Sequence, residues 1–147
     1  MPHFLTGKEK RQVMDAITRA EKQTSGEVRV HIESYCPGSS LERAVFVFNQ
    51  LKMFATQDRN AVLVYIAVES KKFCVIGDTG INAVVPENFW DEVKNQLQGC
   101  FVKGRFAEGL VVGIQMIGEK LKDRFPYKKE DLDELPNDIS FGGDADA

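Results

Sequence analysis

The stretch that decides the fold runs from Asp58 to Ile81 and reads DRNAVLVYIAVESKKFCVIGDTGI. Residues Ala61–Val68 are uncharged and rich in β-branched and aromatic types, which predicts a strand buried on both faces. A charged connection, Glu69–Lys72, separates this run from a second apolar run, Phe73–Ile76. Two such runs with a short polar connection predict a β-hairpin. The start of its first strand then lies beside the end of its second strand.

The residues before this stretch predict a helix followed by a strand. Thr6 and Glu9 have the spacing of a capping box, so a helix is expected to begin at this point. After that helix, apolar and polar residues alternate, which predicts a strand with one buried face and one polar face. The buried face carries Val28, Val30 and Ile32, and the polar face carries Arg29, His31 and Glu33.

A second predicted helix begins at Ser39, and its apolar stripe consists of Val45, Phe48, Leu51 and Phe54. Strand, helix and strand in this order predict a crossover between two parallel strands. Two more helices follow the hairpin, and the last, from Phe106 to about Arg124, carries Gly109 and Gly113, which predict a close approach to the sheet. The predicted fold class is α/β: three α/β/α layers with a small mixed sheet, a βαβ unit plus an antiparallel hairpin, flanked by about four helices.

Length and charge limit the class of protein. A chain of 147 residues is long enough for one domain with a sizeable core. Its formal net charge of −3 argues against nucleic acid as the main partner, because phosphate binding requires an excess of Lys and Arg. No apolar run approaches the ~18 residues of a membrane helix, and the start lacks a secretory signal. We therefore expect a cytoplasmic monomer that contacts no membrane.

The C-terminal residues differ in composition from the rest of the chain. Residues 130–147 contain seven acids and no base, whereas residues 1–129 carry a net charge of +4. We therefore divide the chain into an α/β domain, residues 1–129, and an acidic tail, residues 130–147, partly packed and partly disordered. Leu135, Ile139 and Phe141 are apolar groups within this polar tail and are expected to attach it to the domain.

Polar residues gather at one edge of the predicted sheet. The starts of two parallel strands and the end of the hairpin share this edge, which brings together Glu27, Asp58, Asn60 and Asp78. In open α/β sheets, ligands usually bind at the other edge, beyond the carboxyl ends of the parallel strands. That edge carries the loops Ser34–Ser40 and Glu69–Lys72, and its helix start would suit an anion.

Two short motifs point to enzyme classes that the rest of the chain does not support. Asp78-Thr79-Gly80 is the tripeptide of aspartic proteases, but that chemistry needs two such Asp residues in a nearly all-β fold. Cys36 and Arg43 are reminiscent of a cysteine-phosphatase loop, but one residue too many separates them. An added residue moves the guanidinium around the helix by ~100°. We therefore assign no catalytic residue.

Several segments resemble the TPM domain, a family that includes a plant thylakoid-lumen protein of photosystem II repair and many bacterial proteins. The resemblance rests on TSGEVRV (24–30), RNAVLVY (59–65), GDTGI (77–81) and residues 101–110, and it spans residues 4–125. The tail, residues 133–142, is similar to that of a stand-alone bacterial branch. The chain has Asn60-Ala61 where Asn-Gly is usual in the family, and Gly-Asp-Thr-Gly where many members have Gly-Tyr-Gly-Leu-Glu.

The resemblance implies a three-layer α/β/α fold, binding of divalent cations, chiefly Ca²⁺, and acid phosphatase activity in the plant branch. We predict a Ca²⁺-binding interaction module with an unidentified protein partner, and the alternative is a metal-assisted phosphomonoesterase. The predicted cation ligands are Glu27, Asp58, Asn60 and Asp78, completed by Asp131 or Asp133, because Ca²⁺ takes hard oxygen ligands. In the competing interpretation these acids cap turns and pair with Arg59 or with lysines. No other cofactor is expected.

Overall fold

The computed structural model describes residues 4–127 and 139–142. Its helices are α1 (Gly7–Glu21), α2 (Ser40–Gln50), α3 (Thr79–Asn82), α4 (Phe89–Phe101) and α5 (Phe106–Arg124). Its strands are β1 (Glu27–Glu33), β2 (Ala61–Ala67), β3 (Lys72–Gly77) and β4 (Ser140–Phe141).

The four strands form one mixed sheet in the order β3-β2-β1-β4. Strands β1 and β2 are parallel, with Glu27 opposite Ala61, and β2 and β3 form the antiparallel hairpin. The predicted βαβ unit and hairpin are therefore confirmed. The sequence did not predict β4, which pairs in parallel with His31 and Ile32 of β1.

Helices cover both faces of the sheet, which confirms the predicted three-layer α/β/α fold. The larger core lies between one face and helices α1, α4 and α5, and it includes Val30, Val64 and Ile114. The smaller core lies under α2 on the other face and includes Leu63 and Tyr65. All seven residues of β2 are buried, as its continuous apolar run predicts.

The first helix begins as its sequence predicts, and the second ends early. The Thr6 hydroxyl accepts from the N–H of Glu9, and the Glu9 carboxylate accepts from the N–H of Thr6. Helix α2 ends at Gln50, and Lys52 then adopts a left-handed conformation with φ of 57°. Half of the predicted α2 stripe is correct, since Phe48 is buried and Leu51 packs against the smaller core. Val45 and Phe54 are each 43 % exposed, and Ala44 and Val47 are the other buried residues of α2.

The predicted polar face of β1 is not a solvated face. His31 and Glu33 are only 5 % and 3 % exposed. Helix α2 packs over this side of the sheet, the larger core covers the other side, and β4 pairs with the edge of β1 at His31 and Ile32. The alternation of polar and apolar residues was correct, but the polar side chains lie in a buried network instead of in water.

Helix α5 carries the predicted apolar stripe, since Leu110, Ile114, Ile117 and Leu121 are all fully buried. Its glycines, however, approach a helix instead of the sheet. A Cβ at Gly113 would lie 2.9 Å from Leu97 of α4, and one at Gly109 would lie 2.9 Å from Cys100 of α4. The small residues therefore set the distance between α4 and α5.

Part of the tail packs on the domain. Ile139 is 4 % exposed in the larger core, and Phe141 packs against the same core, as the sequence predicts. Leu135 lies outside the described residues, so its role and the division of the chain at residues 129 and 130 stay predictions. Among the described helices, none is long and apolar enough to cross a membrane.

Candidate functional site

The predicted polar edge lies where β1 and β2 begin. Glu27 opens β1 opposite Ala61, and its backbone N–H donates to the carbonyl oxygen of Asn60 at 3.2 Å. Glu27 is 3 % exposed and Asn60 is 1 % exposed. The parallel pairing thus brings the backbones of Glu27 and Asn60 together where β1 and β2 begin. We call this region the strand-start corner (Glu27, Asp58, Arg59, Asn60 and Asp78).

The amide of Asn60 is only partly satisfied. Its backbone N–H donates to the Thr56 hydroxyl at 3.2 Å, and its side-chain Nδ2 donates to the Ser25 hydroxyl at 3.4 Å. Its side-chain oxygen Oδ1 is buried and has no hydrogen-bond partner within residues 4–127 and 139–142. A buried acceptor without a donor carries a desolvation cost of about 1–3 kcal/mol, which a bound cation would offset.

Asp78 is already engaged by protein groups. Its two carboxylate oxygens accept from Nε and Nη2 of Arg59 at 2.7 and 2.8 Å. The same carboxylate accepts from the N–H of Thr79 at 2.7 Å and caps the short helix α3. The hydrogen bond to Asp78 raises the pKa of Arg59. This is the pairing that the competing interpretation of the acids expects, and it neutralises Asp78.

A close backbone contact fixes the position of Arg59. Arg59 has a left-handed φ of 50°, and its carbonyl oxygen accepts from the N–H of Gly80 at 2.9 Å. A Cβ at Gly80 would lie 2.0 Å from the carbonyl oxygen of Asp58, so only glycine fits. The third residue of the Asp-Thr-Gly motif therefore allows the loop at Asp58 and Arg59 to pack closely against α3.

The remaining predicted ligands do not join a preformed cage. Asp58 is exposed to solvent, and Asp131 and Asp133 lie outside the described residues. In the part of the chain that the structure describes, no three Asp, Glu, His or Cys side chains are placed to hold a metal ion. The strand-start corner therefore offers one buried carboxylate, one buried amide oxygen, one solvated carboxylate and one carboxylate paired with Arg59.

A second polar cluster lies toward the other end of β1 and β2. The Glu33 carboxylate accepts from Nε and Nη2 of Arg43 at 2.8 and 2.9 Å and from the hydroxyl of Tyr65. Burial acts to raise the pKa of Glu33, but the hydrogen bonds from Arg43 and Tyr65 outweigh it and hold the pKa at about 2. Burial, together with the bond to Glu33, raises the pKa of Tyr65. We call Glu33, Arg43, Tyr65, His31 and Ser140 the Glu33 network.

The tail completes this network. Nδ1 of His31 lies 2.7 Å from the Ser140 hydroxyl, and Nε2 lies 3.4 Å from Oε1 of Glu33. A Cβ at Gly142 would lie 2.8 Å from Nε2 of His31, so the tail backbone closes directly over the ring. Burial lowers the pKa of His31, and the contact with Glu33 opposes that shift without reversing it.

The apparent phosphatase loop has a structural role. Arg43 pairs with Glu33, and the buried Cys36 thiol donates to the carbonyl oxygen of Gly38 at 3.6 Å. Neither the guanidinium nor the thiol is directed at an open phosphate cradle. The sequence-based rejection of this motif agrees with these contacts.

The Glu33 network was not predicted from the sequence. One signal pointed to it: β2 is apolar throughout, and a strand buried on both faces needs neighbours that are covered as well. The alternating polar residues of β1 had to face that same covered layer. The identity of the cover, residues 139–142, carried no recognisable strand pattern.

The fold and the strand-start corner define a small three-layer α/β/α module with a buried, oxygen-rich corner at its parallel strand starts. The TPM domain profile matches residues 1–120, and the chain therefore belongs to the TPM domain family. None of the curated proteins matches the sequence.

Two solved structures extend this result. The BA42 protein of the psychrophilic bacterium Bizionia argentinensis, solved by NMR, is 49 % identical in sequence with a TM-score of 0.91. The match covers 97 % of this chain and 98 % of that one. The N-terminal domain of the cg2496 protein of Corynebacterium glutamicum is 13 % identical, with a TM-score of 0.63 over 79 % of this chain and 73 % of that one. At this identity the second likeness shows a shared fold only.

Proposed function

We propose that this TPM-domain protein is a non-catalytic module that binds Ca²⁺ weakly at the strand-start corner. The observation that carries the proposal is the buried Oδ1 of Asn60, which has no hydrogen-bond partner among the described residues. The backbone carbonyl of the same residue accepts from the N–H of the buried Glu27. Carboxylate and amide oxygens are the ligands that Ca²⁺ takes, and 6–8 of them are needed in total. Water and Asp58 would supply further oxygens.

Arg59 determines whether Asp78 can join this set. A guanidinium that occupies both oxygens of Asp78 competes with a cation for the same carboxylate. The side chain of Arg59 is 48 % exposed, so it can swing into solvent when a cation arrives. Because this exchange opposes binding and no EF-hand loop is present, we expect a Kd on the order of 10⁻⁴–10⁻³ M.

The protein partner of such a module stays a prediction. A groove beside the strand-start corner, between α2 and β3, is lined by Arg59 and Asp78 together with the apolar side chains Leu41, Val45 and Trp90. Movement of Arg59 on cation binding would change the charge of this groove. The proposal therefore links cation binding to a surface that a partner can contact.

The test is a Ca²⁺ titration of isotope-labelled protein followed by NMR. We expect saturable amide shifts at residues 24–28, 57–61 and 77–81. Shifts confined to residues 130–147 would mean that the acidic tail alone binds the ion, and the corner site would then be dropped.

Charge variants sharpen this test. Arg59→Gln releases Asp78 and should tighten Ca²⁺ binding several-fold, whereas Asp78→Asn should not tighten it. Lys71→Gln is the matched control, because Lys71 also has a left-handed φ and lies at the opposite end of β2. If Arg59→Gln and Lys71→Gln change the affinity equally, the effect is one of net charge, and the ligand role of Asp78 is wrong.

The phosphomonoesterase alternative stays a prediction that the same variants can test. Hydrolysis of a chromogenic phosphate ester would be measured with and without Ca²⁺ and Mg²⁺. Turnover that depends on the metal and is abolished by Asp78→Asn would replace the non-catalytic proposal. Absence of turnover in both conditions would favour the binding module.

A further inference from the structure

A pocket of about 570 Å³ lies at the far end of the sheet from the strand-start corner, beside the turn between β2 and β3. Its walls include four half-buried phenylalanines: Phe4, Phe73, Phe101 and Phe106. The ring centroids of Phe4 and Phe106 are 4.6 Å apart, and those of Phe73 and Phe101 are 5.2 Å apart. These rings come from separate segments of the chain and together form an aromatic wall. The volume of the pocket lies within the range of small-molecule sites.

The charge at this pocket has one sign. Among the described residues, Lys71 and Lys72 are the only charged ones that line it. The Lys72 ammonium donates to the carbonyl oxygens of Cys36 and Gly38 at 2.9 and 2.8 Å, and neither of these residues lines the pocket, so the charge of Lys72 is held outside it. Lys71 is exposed, and its side chain makes no hydrogen bond or ion pair with any residue in 4–127 or 139–142. It is therefore available to a ligand.

The backbone at Lys71 is a second observation. Lys71 has a left-handed φ of 54°, a conformation that glycine and asparagine adopt more easily than lysine. The chain thus carries a lysine at a turn position where its backbone is disfavoured. The side chain of this lysine lies at the rim of the aromatic pocket.

The position of the pocket agrees with the topology. The carboxyl end of β2, which is parallel to β1, contributes Ile66 and Ala67 to the lining. Ligands of open α/β sheets usually bind beyond the carboxyl ends of parallel strands. The strand-start corner lies at the other end of these strands, so the two sites do not depend on one another.

We propose that this pocket binds a small apolar molecule that carries a carboxylate. The apolar chain of the ligand packs against the phenylalanines, and its carboxylate lies at the rim, where Lys71 pairs with it. An apolar ligand of the opposite charge meets the same walls but is repelled at the rim.

The experiment compares three eight-carbon probes that differ only in head group: octanoate, octanol and octylammonium. Each is titrated below its micelle concentration into isotope-labelled full-length protein and followed by NMR. We expect saturable shifts at residues 66–73 and 98–106, with octanoate binding most tightly and octylammonium most weakly. Lys71→Gln should weaken octanoate binding about two- to fivefold, as expected for an exposed ion pair, and leave octanol unchanged.

Two further variants test whether the effect is specific to the pocket. Lys52→Gln is the matched control, because Lys52 is also exposed with φ of 57° but does not line the pocket, and it should change no affinity. Gln98→Glu introduces a carboxylate at an exposed lining position and should weaken octanoate binding without disturbing the core. Equal binding of octanoate and octylammonium, or equal losses in Lys71→Gln and Lys52→Gln, would overturn the proposal. Unsaturable or scattered shifts would overturn it as well.

Discussion

Glu33 is the residue on which the hydrogen bonds of the Glu33 network converge. It is buried, yet it accepts from Arg43, Tyr65 and His31. A buried carboxylate is tolerated only where donors replace the water that it has lost. The network therefore depends on the acid more than on any single donor, because the buried Tyr65 and His31 would otherwise lose this acceptor.

Replacing Glu33 should destabilise the protein strongly. Glu33→Gln removes the negative charge to which Arg43 and Tyr65 donate hydrogen bonds, and we expect the free energy of unfolding to fall by about 2–4 kcal/mol. Urea unfolding followed by circular dichroism measures the change. Glu69→Gln is the matched control, because Glu69 is exposed, and it should stay within about 0.5 kcal/mol of the wild type. A similar small effect at Glu33 would mean that the network contributes little.

The same network predicts a loss of stability in acid. Burial lowers the pKa of His31 in the folded protein. Below about pH 6.5, therefore, His31 is protonated in the unfolded chain while it is still neutral in the folded protein. The pKa of Glu33 is lowered from 4.5 to about 2, so the protein loses further stability as the pH falls from 4.5 toward 2. Both groups bind more protons in the unfolded state, and the free energy of unfolding therefore falls with falling pH.

The histidine part of this loss can be isolated with His31→Gln. Relative to this variant, the wild type should lose stability between pH 7.5 and 5.5, by at most about 1.4 kcal/mol per pH unit. The Glu33 part should remain in both proteins below pH 4.5. Parallel stability curves for wild type and His31→Gln above pH 5 would contradict the predicted role of His31.

At the scale of elements, helix α5 packs against its neighbours through glycines. Gly113 approaches α4, and a Cβ at Gly118 would lie 2.9 Å from Cβ and 3.2 Å from Cα of Ala20 in α1. The contact at Gly118 involves backbone, which cannot rotate away as a long side chain can. The α1–α5 distance therefore depends on the absence of a single methyl group.

Two glycine-to-alanine variants within helices should have opposite effects. Gly118→Ala forces α1 and α5 apart and should lower the free energy of unfolding by about 1–3 kcal/mol. Gly99→Ala in α4 meets no atom within 4 Å and should raise it by about 0.5–1 kcal/mol through helix propensity. Chemical unfolding of both variants is the measurement. A stabilised Gly118→Ala protein would show that α5 can shift freely.

Elements with a local signal could be predicted from the sequence. The capping box at Thr6, the apolar run of β2 and the stripe of α5 depend on residues close together in the chain, and each was correct. The partner of the α5 glycines and the end of α2 depend on contacts from elsewhere, and these predictions were wrong. Periodicity identifies a face but does not identify what covers it.

Some features of the candidate sites could also be predicted from the sequence, and others could not. The strand-start corner followed from topology, because parallel strands must begin at one edge. The bidentate contact between Arg59 and Asp78 did not follow, since it depends on the left-handed backbone at Arg59. The Glu33 network needed β4, and a strand of two residues has no period to detect.

At the scale of the whole molecule, a short C-terminal segment completes the sheet. Ile139 enters the larger core, Ser140 lies beside His31, and the N–H of Gly142 donates to the carbonyl oxygen of Ile32 at 2.8 Å. This segment joins the core, the sheet and the Glu33 network at once. Its contribution to stability should therefore exceed what its length indicates.

Two truncations test this contribution. Ending the chain after Tyr127 removes Ile139 and Phe141, each contributing about 1–3 kcal/mol if fully buried, and should lower the melting temperature by several degrees. Ending it after Gly143 removes only charged and small residues and should leave the melting temperature nearly unchanged. Equal melting temperatures for the two proteins would show that the segment does not stabilise the domain.

The late position of β4 in the chain also sets an order of events during synthesis. His31 and its partner Ser140 are separated by 109 residues, so the ribosome completes nearly the whole domain before β1 can receive its last neighbour. Until then the edge of β1 at His31 and Ile32 lacks its partner strand, and open strand edges are templates for pairing with other chains. A nascent or prematurely terminated chain therefore exposes this part of the β1 edge, which β4 covers in the folded protein. Strand β4 is thus the last element to join the sheet, at His31 and Ile32.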